Sequence, residues 1–263
     1  MCSSIPLYGS EQLYPHGLKF SFFIHLPSQG SAYNLPIQYR YVFLFYADMD
    51  AVESLMTKHP ASWLGVNPEN IDKAIVRFPN HKYWYIETEI NLSALGVQGY
   101  FNGFLNHYID LINRLPIGSE VLWSPFVNEL GNDQQVRLDY SRWLTKIKKM
   151  TKKGKYHFVS ALQDMVGLRP EEYIGTRDNF ESQDHLMNIL SIRGHYLACL
   201  ENDVEPRVNI EMFQWNLAQG GWEYASEDRI KKQIRNEWIY SITEIGPNWA
   251  MGNGMVRPPD YKF

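Results

Sequence analysis

Acidic side chains at the ends of two strand-like segments are the residues best suited to do chemistry in this sequence. Glu87 and Glu89 close one apolar run, and Glu211 lies inside another. Residues two apart on a strand share a face, so Glu87 and Glu89 occupy one side and Thr88 the other. A glutamate inside an apolar strand is costly unless it is paired or solvated, which makes Glu211 a candidate functional residue.

Two carboxylates that converge from different strands can cleave a glycosidic bond. One stays protonated and donates its proton to the leaving oxygen, while the other is ionised and acts as nucleophile or as base for water. The competing interpretation is an ion pair between either glutamate and an arginine such as Arg193 or Arg207. We favour the functional interpretation for Glu211, whereas both interpretations stay open for Glu89.

Strand-like runs alternating with amphipathic helices must position these acids. The runs are short, rich in aromatic and β-branched residues, and bounded by turn formers. They cover residues 83–90, 121–127, 156–162, 207–213 and 243–246. Apolar residues at i, i+3, i+4 and i+7 spacing predict helices over 101–115, 136–147, 186–197 and 230–242. This alternation implies a parallel sheet with right-handed crossovers.

The repeat predicts an α/β fold of the (β/α)8 TIM-like barrel type, with a compact or irregular N-terminal third. The runs recur about every 36 residues, with one longer gap, and about 250 residues is typical of such a barrel. Residues 83–90 would then be strand four, 207–213 strand seven and 243–249 strand eight. The candidates for the first three strands are 17–26, 39–47 and 74–78. We expect a single domain over 1–263; a doubly wound open sheet is the alternative.

The functional site of a parallel barrel lies at the C-terminal ends of its strands. The polar residues predicted at these ends are Asp48, Glu87, Glu89, Ser124, Gln163, Asp164, Asn209 and Glu211. The segment 252–254, Gly-Asn-Gly, is predicted to form a loop over the barrel mouth.

Composition limits the classes of partner. The chain has 263 residues and a net charge of −4, with 44% hydrophobic and 21% charged residues, as in soluble globular proteins. This balance gives no electrostatic footprint for nucleic acid, and no apolar run reaches the roughly 18 residues of a membrane span. Aromatic residues make up 14%; aromatic-rich surfaces suit sugar rings, although a ring-rich core explains the number equally well.

The two cysteines suggest neither a metal site nor a disulfide framework. Cys199 lies in a helical pattern and is predicted to be a small buried side chain. The start Met1-Cys2-Ser3-Ser4 looks like that of a mature bacterial lipoprotein with an added start codon. We therefore favour the bacterial cell envelope or periplasm, with a possible lipid anchor at Cys2, over a cytoplasmic location. The nucleophile-elbow, Walker, dinucleotide-binding and zincin motifs are absent from the sequence, and we expect no cofactor and no metal.

Four short motifs, taken in order, resemble a family of glycoside-hydrolase-like TIM barrels that is catalogued largely as domains of unknown function. The motifs are Trp84-Tyr85-Ile86-Glu87-Thr88-Glu89-Ile90, Ser124-Pro125-Phe126, Gln163-Asp164-Met165-Val166-Gly167 and Asn209-Ile210-Glu211-Met212-Phe213. The resemblance covers roughly residues 83–250. It implies a carbohydrate-active barrel that hydrolyses a polysaccharide or glycan without a cofactor.

The resemblance also implies roles for individual residues. Glu89, at the end of strand four, would be the proton donor, and Glu211, at the end of strand seven, the nucleophile. Gln163 and Asp164 would hydrogen-bond sugar hydroxyls or tune Glu211. The remaining residues implied to bind substrate are Asp48, Tyr85, Glu87, Trp123, Asn209, Phe213 and Trp215.

Two departures from the family pattern keep alternatives open. Thr88 stands where the family often has the first glutamate of a pair, and Met165 replaces a small glycine. The strand-four acid is therefore ambiguous between Glu87 and Glu89, of which we favour Glu89 by position. The alternative functions are a non-catalytic carbohydrate-binding barrel that has lost its acid pair and a structural barrel that serves as an interaction surface.

Overall fold

A computed structural model describes residues 21–25, 40–44, 49–127, 133–151, 155–163, 183–211, 213–216, 221–224 and 249–253. For residues 21–25, 40–44, 49, 51, 183–189, 210–211, 213–216, 221–224 and 249–253 the description is of the backbone alone. The fold is mixed α/β with a parallel sheet, which confirms the predicted fold class at that level.

Strands and helices alternate along most of the described chain. The strands are β1 (Ser21–His25), β2 (Arg40–Leu44), β3 (Trp63–Val66), β4 (Tyr83–Ile86), β5 (Glu120–Trp123), β6 (His157–Gln163), β7 (Glu205–Glu211), β8 (Phe213–Asn216), β9 (Gly221–Tyr224) and β10 (Trp249–Asn253). The helices are α1 (Met49–Lys58), α2 (Ile71–Arg77), α3 (Gln98–Arg114), α4 (Asp133–Met150) and α5 (Gln183–Glu201), with a short 3₁₀ turn at Leu92–Ala94.

Strands β3 to β7 form a five-stranded parallel sheet in which chain order equals spatial order. Strand β2 pairs with β3, β10 pairs with β7, and β1 pairs with both β2 and β10, the last through Phe22 and Gly252. Strands β8 and β9 form a separate antiparallel hairpin. Because the strands of the main sheet run parallel, their C-terminal ends lie along one edge.

The two faces of the sheet carry different side chains. One face, here called the inner face, buries Trp63, Tyr85, Leu122, Val159 and Ala161 against one another. The other is the helix-covered face, which joins the main core together with apolar residues of the helices. Its strand residues include Trp84, Ile86, Trp123, Phe158 and Val208. Residues therefore alternate between the two cores along each strand, as the period of two requires.

Aromatic rings dominate the core between the sheet and its helices. Trp143 of α4 is fully buried, and its ring lies 5.0 Å from that of Tyr108 and 6.1 Å from that of Trp123. Truncating such a buried ring to alanine typically costs about 3–5 kcal/mol of stability. Helices α4 and α5 pack closely where α5 carries Gly194, because a Cβ there would lie 2.3 Å from the carbonyl oxygen of Asp133.

A buried chain of polar groups crosses this core. Trp123 Nε1 donates to Tyr140 OH at 2.8 Å, and Tyr140 OH lies 2.6 Å from Ser160 Oγ. Ser160 Oγ lies 2.8 Å from His195 Nε2, which is 3.5 Å from Cys199 Sγ. The burial of Cys199 confirms its prediction as a core residue.

The opposite, N-terminal end of the inner face carries a cluster of charges. Arg207 donates twice to Glu205 Oε1, at 2.8 and 2.6 Å, and its guanidinium lies 4.9 Å from the centroid of the Trp63 ring. His157 lies 3.3 Å from Glu120 and 3.4 Å from Glu205. Arg207 thus forms an ion pair with Glu205, at the other end of the sheet from Glu89.

Two predictions about strands are wrong. Residues 74–78 were predicted as a strand, but residues 71–77 form helix α2 and the third strand is β3. The spacing of Ile71, Ala74 and Phe78 is in fact the i, i+3, i+7 pattern of a helix. Gly252 and Asn253 belong to β10, paired with β7, rather than to a loop.

Several other predictions fall outside the described residues. These are the strand at 243–246, the helix at 230–242, and the structure around Cys2. Within the described part of the chain, no helix has the length and hydropathy needed to span a membrane.

Candidate active site

The candidate site lies at the C-terminal edge of the inner face, where β4 continues as an extended segment. Glu87 N donates to Val66 O at 3.1 Å, which prolongs the pairing of β4 with β3. Further along, Phe126 N donates to Ile90 O at 2.9 Å, which prolongs the pairing with β5. These two hydrogen bonds hold the backbone on either side of Glu89.

The carboxylate of Glu89 is both accessible and partly desolvated. The residue is exposed to solvent, yet surrounding protein atoms remove enough water from the carboxylate to raise its pKa above 4.5. A hydrogen bond from the side chain of Gln163 acts in the opposite direction and lowers the pKa. A raised pKa at a solvent-accessible carboxyl is the property that a proton donor needs.

Buried polar side chains at the C-terminal ends of β5, β6 and β7, here called the polar floor, lie close together, and one of them, Gln163, hydrogen-bonds to Glu89. Ser124 Oγ donates to Ala161 O at 2.8 Å and accepts from Asn209 Nδ2 at 3.1 Å. Gln163 Nε2 donates to the carbonyl of Ser124 at 3.3 Å. These hydrogen bonds fix the orientation of Gln163 and Asn209 near the C-terminal edge of the sheet.

Thr88 faces away from this floor, as strand alternation predicts. Its Oγ1 lies 2.7 Å from Nε2 of His107 on α3, and its carbonyl oxygen accepts a hydrogen bond from Tyr108 OH. A glutamate at this position would therefore point towards α3, so the threonine at 88 does not remove an acid from the inner face.

Glu87 lies on the same side of the strand as Glu89 but has different surroundings. Its Oε2 accepts a hydrogen bond of 2.8 Å from Nδ2 of Asn67, which follows β3. The residue is half-buried, whereas Glu89 is exposed. This difference distinguishes the two candidates for the strand-four acid and favours Glu89.

The backbone places Glu211 at the last position of β7, on the same edge of the sheet. It lies two residues beyond Asn209 and opposite Asn253 of β10 in the register. The hairpin β8–β9 begins two residues later, with Phe213 paired to Tyr224 and Trp215 paired to Trp222.

The prediction that Trp123 and Tyr85 offer ring faces to a sugar is corrected. Trp123 has no exposed surface and lies in the core under the helices, where its indole N–H donates to Tyr140. Tyr85 is 3% exposed and packs within the inner-face cluster. Trp123 is interior because its strand position faces the helices, whereas Tyr85 lies on the inner face four residues before Glu89. Asp48 and Asp164 lie outside the described residues.

Two residues near Glu89 were not found from the sequence as part of the site. His107 and Tyr108 lie on α3, for which the sequence predicts only an amphipathic helix over 101–115. The available signal was Thr88, since strand alternation directs it towards a covering helix. In the described part of the chain, no group of three His, Cys, Asp or Glu side chains could hold a metal ion.

Comparisons with known proteins relate the chain to others through structure. No family model matches it, and no curated protein matches it by sequence. The crystal structure of a "putative alpha-L-fucosidase" from Bacteroides thetaiotaomicron is similar, with a TM-score of 0.55 and 11% identity over 90% of this chain and 86% of that one. The glycoside hydrolase domain of PelA from Pseudomonas aeruginosa aligns with 12% identity over 89% of this chain and 83% of that one, at a TM-score of 0.38. At these identities, the likeness to the first structure shows a shared fold.

Proposed function

We propose that this protein is a glycoside hydrolase that cleaves a polysaccharide or glycan with Glu89 as proton donor and Glu211 as nucleophile. The proposal rests on Glu89. Its carboxyl is accessible to solvent, burial raises its pKa, and a hydrogen bond from Gln163 holds its orientation. The shared fold with a protein named as a fucosidase supports it. We further propose that the strands complete a single (β/α)8 barrel over 1–263.

The positions of the two acids along the sheet suit this chemistry. Residue 89 follows β4 and residue 211 ends β7, both at the C-terminal edge, and β5 and β6 lie between these two strands. Three strand spacings are about 14 Å along the sheet, and the proposed barrel shortens that span by curving the sheet. Position 211 belongs to the same strand face as Asn209, because residues two apart share a face.

The proposed reaction proceeds in two steps with no cofactor. Protonated Glu89 donates its proton to the glycosidic oxygen as the bond from that oxygen to the anomeric carbon breaks, and a carboxylate oxygen of Glu211 bonds to that carbon. Ionised Glu89 then takes a proton from water, whose oxygen attacks the anomeric carbon and releases Glu211. Glu89 thus ends the cycle protonated, ready for the next substrate.

The polar floor supplies contacts for the sugar in this proposal. Asn209 is almost fully buried, and its Oδ1 has no hydrogen-bond partner among the residues that the structure describes. A buried amide oxygen without a partner gains from a hydrogen-bond donor, and we propose that a sugar hydroxyl supplies it. We propose that Glu87, Asp48, Asp164, Phe213 and Trp215 extend these contacts.

Reducing-end release from a panel of polysaccharides and 4-nitrophenyl glycosides tests the proposal. We expect the wild-type protein to cleave at least one member and the Glu211→Gln variant to lose at least about 10³-fold of that activity, because an amide is a poor nucleophile. Circular dichroism and the urea unfolding midpoint should match those of wild type.

The other functions give different results in the same experiment. A carbohydrate-binding barrel would bind a glycan saturably, with no product from either protein. A structural barrel would neither bind nor cleave. Equal turnover by wild type and Glu211→Gln would remove Glu211 from the reaction.

A further inference from the structure

The segment that carries Glu89 is held from the side of helix α3 as well as from the sheet. Thr88 Oγ1 lies 2.7 Å from His107 Nε2, and Tyr108 OH donates to the carbonyl oxygen of Thr88. That carbonyl belongs to the peptide bond that joins Thr88 to Glu89. Tyr100, also on α3, accepts a hydrogen bond of 2.7 Å from Asn91 N. Tyr108 and Tyr100 therefore hold the backbone on either side of Glu89, and His107 holds the side chain of Thr88.

Tyr108 is itself rigidly placed. It has no exposed surface, and its ring packs edge-on against Trp143 at 5.0 Å and against Trp123 at 5.9 Å. Side chains in a close-packed core occupy a single rotamer on average. The phenol oxygen is therefore a fixed point against which the peptide of Thr88 is held.

The protonation states suit these hydrogen bonds. Burial raises the pKa of Tyr108 well above its ordinary value, and the nearby Glu89 carboxylate and Tyr100 raise it further, so the phenol keeps its proton. Burial lowers the pKa of His107 while Asp110 raises it, with a net shift downwards from 6.5. His107 is thus a neutral imidazole at pH 7. Its Nε2 accepts a hydrogen bond from the Thr88 hydroxyl in one tautomer and donates one to it in the other.

We propose that Thr88, His107 and Tyr108 form a clamp that positions the Glu89 carboxyl for proton donation. The inference rests on the proposed function, and it assigns a role to the residue that departs from the family pattern. Thr88 touches no substrate; it acts by fixing the peptide that precedes the acid. Gln163 holds the carboxyl from the inner face, and the clamp holds its backbone from the helix-covered face.

Removal of the Thr88 hydroxyl tests the clamp. On the panel polysaccharide that wild type cleaves fastest, we expect Thr88→Val to lower kcat by about 10- to 100-fold, because a displacement of about 1 Å can cost that much. KM should stay within about twofold, since the sugar contacts are intact. Thr88→Ser, which keeps the hydroxyl, should restore most of kcat, and Tyr108→Phe should behave like Thr88→Val.

Thr151→Val is the matched control, because Thr151 is a buried threonine whose hydroxyl donates to Ile147 O at 2.8 Å, far from the C-terminal edge. This variant should lose about as much stability as Thr88→Val but keep the kcat of the wild type. A wild-type kcat for a folded Thr88→Val, or equal loss in Thr88→Ser and Thr88→Val, overturns the clamp alone. Wild-type protein that cleaves no member of the panel overturns the proposed function and the clamp with it.

Discussion

Replacing Glu89 by glutamine is expected to lower kcat on a polysaccharide by about 10²–10⁴-fold, the contribution typical of a general acid. Glutamine keeps the size of the side chain but cannot protonate the leaving oxygen. On a 2,4-dinitrophenyl glycoside of the same sugar the loss should be far smaller in the bond-breaking step, because that leaving group departs without a proton. Initial rates on the two substrates measure the contrast.

The pH dependence of activity tests the same role of Glu89. Burial raises the pKa of Glu89, and the acid works only while protonated, so activity of the wild type falls as pH rises through that raised pKa. The basic limb of kcat/KM should therefore lie above pH 4.5 and should be lost in Glu89→Gln.

Glu87→Gln separates the two candidate acids that follow β4. Because Asn67 holds the Glu87 carboxylate at 2.8 Å, we expect a change in KM and less than a tenfold change in kcat. Glu69→Gln, at an exposed position outside the site, is the control for loss of one negative charge. A larger loss of kcat in Glu87→Gln than in Glu89→Gln would transfer the donor role to Glu87.

Acid should destabilise the protein through His195. This imidazole is buried, stacks on Tyr140 at 5.3 Å, and has its pKa lowered by burial from 6.5 to about 3. Between these values the unfolded chain binds a proton that the folded protein does not, so stability falls as pH falls below 6.5. The expected loss is about 1.4 kcal/mol per pH unit, or about 3 kcal/mol between pH 6.5 and 4.

Urea unfolding at several pH values measures this effect. The free energy of unfolding of His195→Gln should fall less steeply with falling pH than that of the wild type, by about 1.4 kcal/mol per pH unit, whatever its stability at pH 7. His157→Gln is the contrast, because the Glu120 hydrogen bond raises the pKa of His157 above 6.5. The stability it contributes is complete below pH 6.5 and is lost above it, so its removal should leave the slope between pH 4 and 6.5 unchanged. Parallel curves for wild type and His195→Gln would contradict the assignment.

The hydrophobic pattern predicts much of the fold. Strands β4 to β7 and helices α3 to α5 lie where short aromatic runs and helical stripes predict them, because each has a clear period and a buried face. The third strand was missed because β3 is four residues long and the apolar residues of α2 resemble a strand. Gly252 is typical of a turn in the sequence, but in the structure it pairs with Ile210 within a parallel ladder.

The candidate site is less predictable from the sequence. Strand alternation correctly separates Thr88 from Glu87 and Glu89, since it needs only local geometry. The resemblance implies sugar binding by Trp123, but strand alternation directs its ring towards the helices, on the opposite face from Ser124. His107 and Tyr108 reach Thr88 through tertiary packing of α3, which no sequence spacing encodes.

The most direct test is a crystal structure that shows the side chains of Glu89 and Glu211. The distance between their carboxyl carbons decides whether the two acids face each other across one cleft. A value of about 5–5.5 Å is expected for the proposed nucleophile, and about 6.5–9.5 Å would instead make Glu211 the base for water. Carboxyl groups on opposite sides of the sheet, or a Glu211 carboxylate paired with an arginine away from solvent, would contradict glycoside cleavage by this pair.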